Sequence, residues 1–510
     1  MISKVYTAST IGLQVNKIEI ELDTSPGLPN VIVVGLPDKA IQESKERLRA
    51  AIRHSGFEFP DGKITINLAP ADVIKTGTAY DLPMAVGILN LLDYIPKIPP
   101  KALFLGELAL DGQLRPINGV LTIALMASKL GFDKLFVPAQ NAQEARLSKN
   151  LEIYPINNLE ELVKFLNQQI DIAPVSRLEI KSLITTDTLE NELEENDLAY
   201  VKGQEQAKRA LEIAASGGHN TMFIGPPGSG KTLLAKSYAT ILPQMSDQEI
   251  LEVTQIYSLA GQLPPEGIVY KRPFRSPHHS ASHIALVGGG SKIRPGEISL
   301  AHRGILFLDE FPEFDRKTIE ALRQPLEDGM VSISRASGTL VFPSRFYLLA
   351  AANPTPAGFD PDDKESLQRP QSKKAILSYQ SRFSGPIMDR IDLQVDVNRV
   401  DHDKLQSQEL GKTSREIRMQ VQRARDQQLD RFLGTKITCN AEMTLSMIQK
   451  YCVLNQECKN LLKNAADKFK LSARAYMRLL KLSRTIADLG NEENIKLEHI
   501  AESLQYRGKF

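Results

Sequence analysis

The sequence predicts an α/β protein in three parts: an N-terminal α/β domain, a second α/β core and a C-terminal helical domain. Three observations lead there. Strand and helix signals alternate through the first 170 residues, a glycine-rich loop joins an apolar strand to a helical run near residue 225, and no strand-like run follows Asp401. At 510 residues the chain exceeds what one core can organise. The expected divisions are 1–170, a linker over 171–197, a core over 198–400 and a helical domain over 401–510.

The first domain is legible strand by strand. "VNKIEIEL" alternates Val15, Ile18, Ile20 and Leu22 with polar residues, the pattern of a half-buried strand. "NVIVVGL" reads as a short buried strand, and Lys39 to His54 as a helix with Ile41, Leu48 and Ile52 on one face. "KITINLAP" is a further strand, and Asp111-Gly112 turns a hairpin. In "TGTAYDLPMAVGIL", Asp81 stands before Leu82-Pro83 and is expected to cap the helix that follows. Periodicity fades in the acidic stretch "LENELEEND", which reads as linker.

Composition narrows the function. With 42% hydrophobic and 24% charged residues, the chain has the make-up of an ordinary soluble globular protein, and it has no internal repeat. A net charge of +1 excludes an overall basic field, so any nucleic-acid contact must be local. Cys439, Cys452 and Cys458 form no metal-ligand set and suit a reducing compartment. The N-terminus lacks a signal pattern and no apolar run reaches bilayer length, so a cytoplasmic protein without membrane contact is expected.

The chemistry starts at "TMFIGPPGSGKTLLAKSYA". An apolar strand, Met222 to Ile224, runs into Gly225, Pro226, Pro227, Gly228, Ser229, Gly230, Lys231 and Thr232, and a helical pattern follows. Such a loop turns backbone N–H groups onto phosphate oxygens, with Lys231 as cation for the terminal phosphates and Thr232 as a hydroxyl ligand for Mg²⁺. ATP and Mg²⁺ are the expected cofactors. "GILFLDEF" carries Asp309 and Glu310 to a strand's C-terminal edge, where Asp309 suits the metal's shell and Glu310 suits taking a proton from water. Asn353 closes the strand "FYLLAAANP" and reads equally as a strand-exit turn or as an amide holding that water. Arg390 lies between two acids ahead of another strand, and Arg474 near a helix start could reach a phosphate. Arg478 and Arg484 read as solvated or paired.

Lys231, Asp309, Glu310, Asn353, Arg390 and Arg474, in this order, resemble an AAA+ ATPase. The resemblance implies a Walker A lysine, a Walker B pair, sensor 1, an arginine finger and sensor 2. Because the finger serves a neighbour's nucleotide, it implies a ring, usually a homo-hexamer. "KRPFRSPHHSASHIALVGGGSKIRPGEISLAHRGILFLDE", "SGPIMDRIDL" and "SARAYMRLLKLSRTIADL" resemble the magnesium-chelatase-like YifB/ComM family, over nearly the whole chain. That family implies ring helicases driving branch migration when incoming DNA recombines in natural transformation, with residues 401–510 as the α-helical lid. This chain departs in one place: Thr355 and Ala357 stand where the family usually has the first cysteines of a C-P-C-G pattern, so a thiolate zinc site is excluded there. His278, His279 and His283 read as a packed turn near the nucleotide or subunit interface rather than a metal centre.

DNA, bound without regard to sequence, is the expected partner. Lys292 and Arg294 in "VGGGSKIRPGE", and Arg335 at the tip of the hairpin "GMVSISRASGTLVF", are the candidate contacts, with exposed loops carrying incidental cations as the alternative. The front domain resembles the Lon-protease fold of ribosomal S5 domain 2-like type. Ala79 stands where its serine belongs, Leu121 and Ile123 occupy the lysine places, and Thr78 has no visible base, so no peptidase is expected. Two other classes stay open: an ATP-fuelled metal-chelatase subunit, and an ATPase-coupled remodeller or protease.

Overall fold

The computed structural model describes residues 2–178, 196–290, 293–335, 338–355, 378–379, 382–383, 385–400 and 410–507. The chain folds into two units, each discontinuous in sequence. The first comprises Met1–Leu183, Asp247–Tyr270 and Ala336–Val341, and the second Ile184–Ser246, Lys271–Arg335 and Phe342–Phe510.

In the first unit, β1 (Ile2–Ile11), β2 (Gln14–Ser25), β3 (Asn30–Val34) and β4 (Lys63–Ala69) form a sheet in the order β1-β2-β4-β3. β1 and β4 run antiparallel to β2, while β3 lies parallel to β4, so the chain must cross over between those two. The crossover is the helix Lys39–His54, capped by Asp38, whose carboxylate accepts from Ile41 N–H at 2.9 Å. Ile41, Leu48 and Ile52 are its buried face. As an edge strand β3 buries only Val31 and Val33, so it is half-buried rather than buried throughout. β5 (Ala102–Phe104), β8 (Lys134–Pro138) and β9 (Glu152–Ile156) form a parallel sheet, and β6 (Glu107–Leu108) pairs with β7 (Leu114–Arg115) across the Asp111-Gly112 turn. The helix Asp247–Ala260, which follows the nucleotide loop in sequence, belongs to this unit and packs on the helix Val120–Ala127.

The helix Asp81–Leu91 corrects one expectation. Asp81 is not its cap: Tyr80 holds that position without a side-chain bond, and Asp81 is the first helical residue, fully buried. Its carboxylate is gripped by Arg47, Nε to Oδ2 at 2.9 Å and Nη2 to Oδ1 at 3.2 Å, and cannot fold back over the helix start. Burial pushes this carboxyl up to about 6, against the pull of Arg47 and of the Leu108 N–H.

The second unit is built on a parallel sheet: β10 (Thr221–Ile224), β11 (Phe274–Arg275), β14 (Ile305–Leu308), β17 (Tyr347–Ala352) and β18 (Leu393–Asp396), in the order β11-β14-β17-β10-β18. Outside that sheet β12 (Gly288–Gly289) pairs with β13 (Arg294–Pro295), and β15 (Met330–Arg335) with β16 (Gly338–Pro343), whose residues 338–341 belong to the first unit. From residue 410 on, the described chain is helical, without strands. Its helices share the sheet's core: Ile417, Val421, Leu482 and Ile486 belong to the cluster that holds Phe223 and Phe307. Thr413 and Glu416 close the first of them with a reciprocal capping box. Among the described residues no helix is long and apolar enough to cross a membrane.

Candidate nucleotide site

Parallel register decides which residues can meet. Thr221 pairs with Leu349 and Leu393, and Ile305 with Tyr347, so Gly225, Asp309 and Asn353 all leave the C-terminal edge of one sheet side by side. Gly225 must be glycine, because a Cβ there would lie 2.0 Å from the Val397 carbonyl oxygen. Gly228 (φ 76°) and Gly230 (φ 91°) take left-handed conformations that aim the loop's N–H groups inward. The helix Lys231–Ile241 starts at Gly230 with no side-chain cap, leaving its first N–H groups for an anion.

Lys231 is nearly buried. Its ammonium donates to the carbonyls of Gly225 (2.6 Å) and Pro226 (2.9 Å) and to Asn353 Oδ1 (3.3 Å). Burial lowers its pKa, partly opposed by Asp309 and Glu310. Thr232 Oγ1 donates to Asp309 Oδ2 at 3.0 Å, and Asp309 Oδ1 accepts from Glu310 N–H at 2.9 Å. The Asn353 carbonyl accepts from Tyr379 Oη at 3.1 Å, and burial pushes that phenol up to about 12.

These residues fit a magnesium nucleotide. The Thr232 hydroxyl and Asp309 carboxylate are hard oxygen donors of the kind Mg²⁺ takes. Ser229 Oγ is buried with no hydrogen-bond partner among the described residues, an orphan that a phosphate or its water would satisfy.

Sequence reading missed the partner of Glu310. His279 Nδ1 lies 3.0 Å from Glu310 Oε2, and Glu310 itself takes a left-handed φ of 49°. The His279 and His278 rings lie 4.1 Å apart, tilted by 35°, and His278 Nδ1 meets Ser280 Oγ at 2.8 Å. Among the described residues no group of three or more His, Cys, Asp or Glu could hold a metal ion. The only advance signal was the position of "PHH" just past the strand beside β14.

Arg390 and Arg474 lie elsewhere. Arg390 precedes β18, so the parallel sheet puts it at the N-terminal edge, a strand's length from Lys231's edge. It donates to Pro386 O at 2.7 Å and to the Glu327 carboxylate, whose other oxygen accepts from Arg474 Nη2 at 2.6 Å. Both arginines line a cavity of about 850 Å³ together with Arg303, Arg345, Arg478 and Lys481. Asp392 sits beside it, 3.5 Å from both Arg478 and His219. Burial raises this carboxyl, but Arg478 and His219 outweigh it and hold it near 2. Arg484 is likewise paired, with Asp488 at 3.0 Å.

Of the candidate DNA contacts, Lys292 lies outside the described residues, as does the stretch from 356 to 377 that replaces the family's cysteine pattern. Arg294 is exposed in β13, and Arg335 ends β15. In the first unit, Leu121 and Ile123 are buried apolar residues, and Ala79 is partly buried against the core cluster that holds Ile123. Thr78 does have an acceptor: its hydroxyl donates to Glu107.

Fold and site together define a P-loop nucleoside-triphosphatase core. Family profiles described as magnesium chelatase, subunit ChlI, match residues 197–405, a second ChlI profile matches 20–141, and the ChlI C-terminal profile matches 411–507. Competence protein ComM of Haemophilus influenzae is 43% identical over 505 residues, 99% of this chain and 97% of its own. Protein YifB of Escherichia coli is 39% identical over 509 residues, covering 99% of this chain and 97% of its own. A Lon protease of Trichlorobacter lovleyi is 25% identical over 167 residues, 30% of this chain and 20% of the protease. The chain belongs to the YifB/ComM family of magnesium-chelatase-like AAA+ ATPases.

Proposed function

We propose that the chain is the subunit of a cytoplasmic, hexameric ATP-driven DNA motor that promotes branch migration when incoming DNA recombines. One observation supports the reading: Lys231, Thr232, Asp309 and Asn353 gather at one edge of the sheet, whereas Arg390, joined to Arg474 through Glu327, precedes β18 at the other. A second copy must bring its arginines to the first copy's phosphates, and repeating that head-to-tail contact closes a ring. The competence role of the ComM relative supports DNA as the substrate.

Within the site each residue has a task. Lys231 leaves its loop carbonyls to bind the terminal phosphates, and uncapped N–H groups of the helix Lys231–Ile241 hold their oxygens. Thr232 and Asp309 would hold Mg²⁺, which neutralises charge on the phosphates when bound. Asn353 orients water, and Glu310, released from His279, accepts its proton as the oxygen attacks the γ-phosphorus. The bond to the β-phosphate oxygen breaks, giving ADP and phosphate. Arg390 and Arg474 of the neighbour offset the charge that spreads over the transferring group.

Arg335, the last residue of β15, and Arg294, in β13, would contact DNA phosphates, a contact blind to sequence. The first unit is a scaffold without peptidase activity, since Leu121 and Ile123 supply no amine base to Thr78. The test is hydrolysis and strand displacement on labelled four-way DNA, with Lys231→Ala as control. If DNA neither binds nor stimulates hydrolysis, the motor reading fails and a chelatase-type subunit takes its place.

A further inference from the structure

Glu327 holds a position that none of the roles above explains. Its two carboxylate oxygens take separate arginines, Arg390 on Oε2 and Arg474 on Oε1, from elements far apart in sequence. Two guanidinium groups lie together there because one anion lies between them. A carboxylate and a phosphoryl group offer arginine the same recognition, oxygens spaced for paired N–H donors. Glu327 therefore occupies the place a transferring phosphate needs. It is half-exposed and lines the 850 Å³ cavity, and so is open to displacement.

What Glu327 is attached to gives displacement a consequence. It lies on the helix Arg323–Asp328, which ends at Gly329 and passes without a spacer into β15. Gly329 O accepts from Ser344 N–H at 2.8 Å, closing the base of the hairpin, and Gln324 Nε2 donates to Ser332 on β15 at 3.2 Å. Movement of this helix end reaches the hairpin through those bonds.

We propose that Glu327 is a positioning residue that pre-forms the Arg390–Arg474 pair, yields it to a neighbouring subunit's γ-phosphate, and passes that exchange to the hairpin β15–β16. The proposal rests on the trans-acting role of the arginines given above. In Glu327→Gln the arginines meet phosphate without a charged competitor, so DNA-free kcat/KM for ATP rises roughly three- to tenfold, the worth of two ion pairs to a half-exposed carboxylate. Stimulation by DNA falls toward unity, because the link to the hairpin is weakened.

The measurement is steady-state ATP hydrolysis by the full chain, with and without four-way DNA. Glu327→Asp, which keeps the charge, should regain DNA stimulation, a rescue that a merely structural role would not predict. A Glu327→Gln protein with wild-type rates, or slower than wild type at unchanged melting temperature, overturns the proposal. If Arg390→Ala hydrolyses ATP like wild type, the trans-arginine reading falls first and takes this one with it; an inactive Arg390→Ala beside an unchanged Glu327→Gln sinks this one alone.

Discussion

Mixing two inactive subunits is the sharpest test of the split site. Arg390→Ala leaves Glu310 intact on one edge of the sheet, and Glu310→Gln leaves Arg390 intact on the other. Each alone should be inactive, since an arginine finger contributes about 10³- to 10⁵-fold in kcat. Loss of Arg390 should cost about 1–3 kcal/mol, since its buried guanidinium also holds Pro386 O, while its partner Glu327 is half-exposed and keeps Arg474. In an equal, random mixture a working interface needs an Arg390→Ala chain holding the nucleotide and a Glu310→Gln chain beside it. That is one arrangement in four, so about a quarter of wild-type activity should return. The assay is phosphate release after co-refolding or subunit exchange, across a series of mixing ratios with the maximum at equal parts. Activity that stays at the level of either single variant would refute a site shared between chains.

Three further outcomes follow from the geometry. Asp392 is held near 2 against an ordinary 3.8, so its charge contributes about 2 kcal/mol above pH 4, roughly half of it gone by pH 3. Urea unfolding of Asp392→Asn should therefore show a deficit of at least that size at pH 7 which narrows below pH 4; a constant deficit would mean its worth is not in its charge. His279 touches the Glu310 carboxylate, not the phosphate loop, so His279→Ala should change kcat several-fold while KM for ATP stays within about twofold. A matching rise in KM would place His279 in nucleotide binding instead. Arg294→Ala with Arg335→Ala should weaken DNA binding for all sequences alike and flatten its salt dependence, leaving DNA-free hydrolysis intact. An unchanged salt slope would remove both residues from the DNA path.

Legibility differed by the range of the interaction. The helix Lys39–His54 and its buried face were readable because the spacing of Ile41, Leu48 and Ile52 is local. The P-loop was readable for the same reason, since glycine spacing and a strand–helix setting fix its shape within a dozen residues. Asp81 misled because its local setting is that of a cap, while Arg47, 34 residues upstream, claims its carboxylate. Thr78 was read without a base, and the carboxylate its hydroxyl meets, Glu107, lies 29 residues on.

By itself the sequence determined the α/β class, the family and the position of the glycine-rich loop, all of which follow from short-range pattern and covalent spacing. Only the tertiary structure decided which of those residues meet. Parallel register gathered Lys231, Asp309 and Asn353 on one edge and left Arg390 on the other, where Glu327 joins it to Arg474 of a C-terminal helix, and His279, just past β11, came to rest against Glu310 beyond β14. The physical reason is that a parallel strand carries direction: residues after a strand and residues before it emerge at opposite ends of the sheet, however close they stand in the chain.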